Sequence, residues 1–135
     1  MFALYCASFT HIFCGSYATT NAIVDELVAL ADERGALFWK VQGMRAQGQL
    51  LALTRKAADA VQTSTSAHIA WRSTGSTAFV PFYLSYLASA YAELGQFNDA
   101  WRAGSGVRVV YGGLRHARPE GGEGAAGGVG GVMAR

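Results

Sequence analysis

The stretch from Leu84 to Trp101 constrains this chain more than any other. Leu84, Leu87, Ala88, Tyr91 and Leu94 recur at spacings of three and four, one face of a helix. Gly95 can take the left-handed backbone that ends a helix. Asn98 or Asp99 can serve the start of the next helix, where Ala100 is a second small residue. The stretch is a packing unit, a helix, a tight turn and the start of a second helix, and it carries no chemistry.

The order Leu-Ala-x-x-Tyr-x-x-x-Gly-x-x-x-x-Ala over residues 87–100 resembles a tetratricopeptide repeat, with Ala88 where glycine is commoner. The pattern recurs. Gly48 and Ala88 hold the same small position, with Leu51 and Tyr91 after them and Ala60 and Ala100 twelve further on, an offset of 88 − 48 = 40 residues. Arg55 stands where the turn glycine of the earlier unit belongs. The expected fold class is all-α: antiparallel helix pairs in a short tetratricopeptide-like α-solenoid, followed by a disordered Gly-rich tail.

Taken in order, Phe2 to Phe13 reads as a buried helix that nothing caps, so a truncated start is expected. A turn at Gly15 leads to a helix over residues 20–34, with Thr19 or Thr20 as cap and Ile23, Leu27, Leu30 and Ala31 as its inner stripe. Gly35 ends it. A third helix spans about Leu37–Leu53, where Gly43 and Gly48 each weaken it by about 1 kcal/mol and so imply close packing. A fourth spans about Lys56–Ser73, with strain or fraying expected over Thr63 to Ser66. A fifth begins near Ala78 or Pro81 and ends at Gly95, and a sixth begins at Phe97. Packing is expected to centre on Leu27, Trp39, Leu51, Leu84, Leu87, Ala88 and Tyr91.

The segments Gly35-Ala-Leu-Phe-Trp39, Gly43-Met44, Gly48, Ala70-Trp-Arg-Ser-Thr-Gly75 and Pro81 to Gln96 resemble the C-terminal helical region of a family of bacterial signalling proteins. Its members join an adenylate/guanylate cyclase-like or other signalling domain to an ATPase module and a tetratricopeptide-like array. The resemblance covers roughly residues 10–102 and only the array. It implies a non-catalytic interaction or regulatory module, a segment of a larger protein. The cyclase carboxylates and the phosphate-binding loop have no counterpart here, so neither activity is implied.

Charged residues make up 15% of the chain, below the roughly 25% usual for soluble domains, as expected of a repeat that buries its faces on neighbours. Residues 1–102 balance seven Lys/Arg against seven Asp/Glu, so no basic face marks a nucleic-acid partner. No segment reaches the roughly 18 apolar residues of a membrane span. The apolar start lacks a basic n-region and is interrupted by His11, which points away from secretion and toward the cytoplasm. Cys6 and Cys14 read as reduced core thiols.

No residue qualifies as catalytic, cofactor-binding or metal-ligating. His11 and Cys14 share a helix face near Cys6 but lack the tight cysteine pairs of a zinc site. Asp25-Glu26 and Asp32-Glu33 are sequence neighbours that point apart on a helix and read as solvated. His68 reads as a partly buried histidine beside Trp71, and Ser64, Ser66 and Ser73 have no nucleophile-elbow context. Gly127 to Gly131 lacks the Lys-Ser/Thr of a phosphate-binding loop. The expected partner is a protein or peptide on a concave helical surface, or neighbouring domains of the parent protein. The other readings are a truncated remnant without independent function, and a small helical ligand-binding or enzymatic domain.

Two segments are therefore expected: residues 1–102, a tetratricopeptide-like helical repeat, and 103–135, a Gly-rich flexible tail. The tail holds eleven of the seventeen glycines and four of the eleven basic residues. Its composition is what GC-rich codons give out of frame, so a frameshift after about Arg102 accounts for it; a natural flexible linker is the alternative.

Overall fold

The computed structural model describes residues 1–76 and 79–116, the backbone alone for 107–116. Six helices make it up: α1 Phe2–Phe13, α2 Tyr17–Glu33, α3 Leu37–Leu53, α4 Ala57–Ser73, α5 Val80–Glu93 and α6 Phe97–His116. The fold is all-helical, with no strand among the described residues.

The turns set its rhythm. Left-handed backbone occurs at Gly15, Gly35, Arg55, Gly75 and Gly95, each 20 residues after the one before. Four of these turns share one hydrogen-bond pattern. The residue after the left-handed one donates its N–H five residues back: Ser16 to His11 (2.9 Å), Ala36 to Ala31 (2.8 Å), Lys56 to Leu51 (2.9 Å) and Gln96 to Tyr91 (2.9 Å). This is the Schellman closure, which satisfies carbonyls that the helix end would otherwise leave bare. The next helix begins one residue later, so end and start are fused into one three-residue corner. Arg55 adopts φ 59° at the degenerate position, as its register requires. The fifth connection is longer, and α5 starts after Phe79 at φ 58° with Pro81 in its first turn, where the missing N–H is harmless.

These corners fold each helix back on its predecessor. Every helix touches the next in sequence, and α1 also touches α3, as α3 touches α5. No two even-numbered helices are in contact among the described residues. The third helix is consequently enclosed by α2, α4, α1 and α5, and eight of its residues are buried. Its glycines explain how. A Cβ on Gly43 would stand 2.5 Å from Val28 Cγ2 of α2, and one on Gly48 would collide with Ser64 Oγ and stand 3.3 Å from Ser64 Cα of α4. Close approach on both flanks offsets the propensity lost at each glycine.

The deepest apolar residues are Val24, Leu27 and Ala31 of α2, Val41 and Ala46 of α3, Ala60, Ala67 and Trp71 of α4, and Ala90 of α5. Of the seven expected centres, only Leu27 and Leu87 are buried; Trp39, Leu51, Leu84, Ala88 and Tyr91 are half-buried. The centre lies one unit earlier than expected because α3 has neighbours all round, whereas the α5–α6 pair has them on one side.

Several local expectations are corrected. In α1 only Ser8 and Ile12 are buried, and Phe2 and Phe13 face solvent, because α1 has no helix on its outer side among the described residues. The second helix starts at Tyr17, not at residue 20: Ser16 occupies the cap, and the Thr20 hydroxyl donates to the Ser16 carbonyl at 3.0 Å. The sixth starts at Phe97, as expected, with Asn98 and Asp99 inside its first turn. There Asp99 suits the helix dipole and pairs with Arg102 at 3.4 Å. The fourth helix runs unbroken through Thr63 to Ser66, since packing on α3 overrides the weak propensity of that run. Both cysteines are free and exposed rather than core thiols.

The largest departure is α6. It continues to His116, fourteen residues past the boundary expected at Arg102. One of its glycines is a contact point on α5: a Cβ at Gly106 would stand 3.1 Å from Leu84 Cδ1, whereas one at Gly104 would meet nothing within 4 Å. The rest of the expected tail, 117–135, lies outside the described residues, as does the Gly127 to Gly131 run.

Candidate functional site

Two features stand out once the helices are in place: a buried arginine within the bundle and uncovered apolar faces at its ends. The arginine arises from the enclosure of α3. Gln42, Arg45 and Gln49 recur three and four apart on that helix, a spacing that would suit a solvated stripe, yet all three are buried. The Arg45 guanidinium carbon lies 3.7 Å from the ring centroid of Tyr83 on α5 and 4.2 Å from that of Trp71 on α4. Its Nη1 also donates to Gln42 Oε1 at 3.4 Å. The aromatic faces supply the negative potential that a buried cation needs, each worth about 2 kcal/mol when desolvated.

Burial pushes the Arg45 pKa down to about 10, against the raising effects of Tyr83 and Tyr5, so the group stays charged at neutral pH. Burial, then the hydrogen bond with Tyr5, pushes the Tyr83 phenol well above its ordinary range and keeps it protonated. The two hydroxyls are 3.4 Å apart. His68 completes the surroundings. Burial first, then Arg72 and Arg45, hold its pKa below the usual 6.5, which favours the neutral ring. Arg45, Ser64, His68, Tyr83, Leu84 and Leu87 enclose a cavity of about 10 Å³, room for roughly one water.

Above this cluster an aromatic seam crosses the odd-numbered helices. Phe2 meets Trp39 at 6.1 Å, Trp39 meets Phe38 at 5.2 Å and Tyr5 at 6.2 Å, and Phe9 of α1 stacks on Phe82 of α5 at 5.8 Å. Side chains of α1 and α5 thus meet over α3. On the opposite flank Asn21, Gln47, Asp59, Gln62 and Thr63 line an open polar groove, where Gln47 donates to Asp25 at 3.0 Å.

The end faces differ in character. Phe97 (71% exposed) and Trp101 (74%) line an open apolar groove on α6 of about 470 Å³, with Ala100, Gly104 and Ser105.

The residues weighed from sequence fall as follows. Asp25, Glu26, Asp32 and Glu33 are all exposed, and Asp32 pairs with Lys40 at 2.7 Å. Among the described residues no three His, Cys, Asp or Glu side chains gather as a metal site. His68 is half-buried in the same helix as Trp71. The Ser73 hydroxyl donates within its own helix to Ala70, while Ser64 faces the small cavity. Arg45 escaped the sequence reading. The signal available was a cation between Gly43 and Gly48, two glycines that place a neighbour on each side of the helix.

No family model matches the chain, and no curated protein or solved structure does either. Among the described residues no helix is long and apolar enough to cross a membrane.

Proposed function

We propose that the chain is a non-catalytic protein-interaction or regulatory module, a tetratricopeptide-like array within a larger cytoplasmic signalling protein. One observation carries the reading: the left-handed corner recurs every 20 residues, so helix pairs repeat every 40. Such arrays present one layer of helices as an extended surface for a peptide or a neighbouring domain. Here that layer is α1, α3 and α5, with its aromatic seam. The resemblance of residues 10–102 to cyclase-like ATPase proteins supplies the signalling context.

Two experiments test this. Removing one unit at equivalent corners, residues 17–56, leaves a shorter helical domain with a cooperative melt if the units are interchangeable; a molten product argues against the array. Peptide-display selection on the full chain should then enrich ligands whose binding is lost in Trp39→Ala. A selection that enriches nothing, or ligands indifferent to that change, argues against the interaction surface.

The second reading is a remnant without independent function, favoured by the uncovered Phe97 and Trp101. A small ligand-binding or enzymatic domain is the third reading; the Arg45 cavity itself admits no more than about a water.

A further inference from the structure

The 40-residue period assigns each exposed end face an equivalent inside the molecule. On α6, Phe97, Ala100, Trp101 and Gly104 correspond to Ala57, Ala60, Val61 and Ser64 of α4. Those α4 positions lie between α3 and α5. Ala57 and Ala60 are buried in one cluster with Ala90, with Val61 against it, and Ser64 shares its cavity with Tyr83, Leu84 and Leu87. The face of α5 on that side, Tyr83, Leu84, Leu87 and Ala90, corresponds 80 residues earlier to Ala3, Leu4, Ala7 and Thr10 of α1. In α1, Ala3 and Thr10 are exposed and Leu4 and Ala7 half-buried. The two ends are thus the two halves of one joint that the chain already makes internally between α4 and α5.

Sizes bear on the fit. In the internal joint α4 presents Ala57, Ala60, Val61 and Ser64, and α5 presents Tyr83, Leu84, Leu87 and Ala90. At the ends the bulk of α6 is at Phe97 and Trp101, beside the small Ala100 and Gly104, and α1 has only Leu4 large among Ala3, Ala7 and Thr10. Bulky residues meeting small ones is the condition for interdigitated packing at interior density. The exposed α6 face is also a contiguous apolar groove rather than a scatter of single residues.

We propose that the occupant of the α6 groove is α1 of a second copy of this chain, docked head to tail so that the array continues across the molecular boundary. The proposal rests on the repeat reading above. A head-to-tail contact is heterologous: each added copy brings a further α1 and α6, so association runs past two chains, to a ring if the rotation closes and to a filament if it does not.

The test is analytical ultracentrifugation of the full chain and two blocked variants, Trp101→Glu (tail) and Thr10→Arg (head). Both sites are exposed, so circular dichroism melts should match wild type. Should Trp101→Glu lower the melt, Phe97→Glu serves as the tail block. Wild type is expected to gain mass with concentration without a plateau at two. Each blocked variant alone is expected to stay monomeric, and an equimolar mixture to form a species of two chains and stop. A wild type that remains monomeric at all concentrations overturns the proposal. So does a plateau at two abolished by the tail block alone, which marks a symmetric α6–α6 contact, or an aggregate that neither block dissolves. Success of the unit deletion with failure here would leave the array intact and remove only the second copy as partner.

Discussion

Helices α4 and α6 occupy equivalent places 40 residues apart, yet their hydrophobicity and burial run in opposite directions. The fourth helix puts Ala57 and Ala60 at 6% and 0% exposure; the sixth puts Phe97 and Trp101 at 71% and 74%. The more apolar face is the uncovered one. Burial in this molecule is set by whether a helix has a successor in the stack, and only secondarily by which residues it carries. The α4 face is small because α5 must come close, and the α6 face has no such constraint from the described residues.

The difference can be broken most severely by charge. Ala60→Arg buries a long cation among Ala57, Ala90, Leu51 and Val61 and should cost about 4 kcal/mol or more, enough to unfold a domain of ordinary stability. Ala100→Arg at the equivalent half-buried position of α6 should cost about 1 kcal/mol or less, because its groove opens to solvent. Urea melts of the two variants decide it; equal losses would mean that the α6 face is covered in solution. The tryptophans give a parallel contrast. Trp71→Ala should cost about 3–5 kcal/mol, while Trp101→Ala stays within about 0.5 kcal/mol.

A somewhat smaller effect is expected at Arg45, where the contrast is between losing a charge and losing a shape. Arg45→Ala leaves Tyr83 and Trp71 facing a void and should cost about 3 kcal/mol. Arg45→Met fills much of the same space without a charge to desolvate and should cost distinctly less. Guanidinium denaturation of the pair measures the order; Met as harmful as Ala would show that the cation itself holds α3, α4 and α5 together.

What the sequence made legible follows from the same contrast. Corners were readable because left-handed backbone is expensive for any residue but glycine, so Gly15, Gly35, Gly75 and Gly95 stand out one by one, and Arg55 is placed by their register. Helix existence was equally readable. Depth was not. The apolar run of α1 looked like a core helix, but an end helix buries one side only: Phe13 is 69% exposed, and Phe2 is 68% exposed even where it meets Trp39. Gln42, Arg45 and Gln49 looked like a wetted stripe, but over that stretch only Met44 and Gln47 of α3 are even partly exposed. Residues 103–116 looked too rich in glycine for a helix, but in α6 Gly106 is where α5 comes close. Periodicity reports which residues share a face; it does not report how many neighbours that face will meet.

Arg55 offers a gain rather than a loss. Its φ of 59° costs about 1 kcal/mol for a residue with a Cβ, and its ion pair with Glu93 at 3.2 Å is exposed and worth little. Arg55→Gly makes this corner like the other four and should raise stability by about 0.5–1 kcal/mol. A loss of similar size in thermal melts would show that the Glu93 pair outweighs the strain.

The smallest effect concerns His68, and its sign is fixed by its neighbours. Arg45 of α3 and Arg72 of its own helix are the charges that bear on it, both positive, and Tyr83 of α5 faces the same cavity as a neutral phenol. Burial and these cations lower the folded pKa below 6.5, so the unfolded chain takes up the proton first as the pH falls. Where the unfolded state binds more protons, stability declines with falling pH. The contribution is therefore complete above about pH 6.5. It is lost progressively below that value, until the folded ring also protonates. Because the ring is only half-buried, solvent screens the effect, and the decline should be shallow. Melting temperatures between pH 7.5 and 5 should fall less in His68→Gln than in wild type. Identical slopes would mean that the ring escapes the field of Arg45, and that the aromatic rings of Trp71 and Tyr83 screen the cation from α4 as well as hold it.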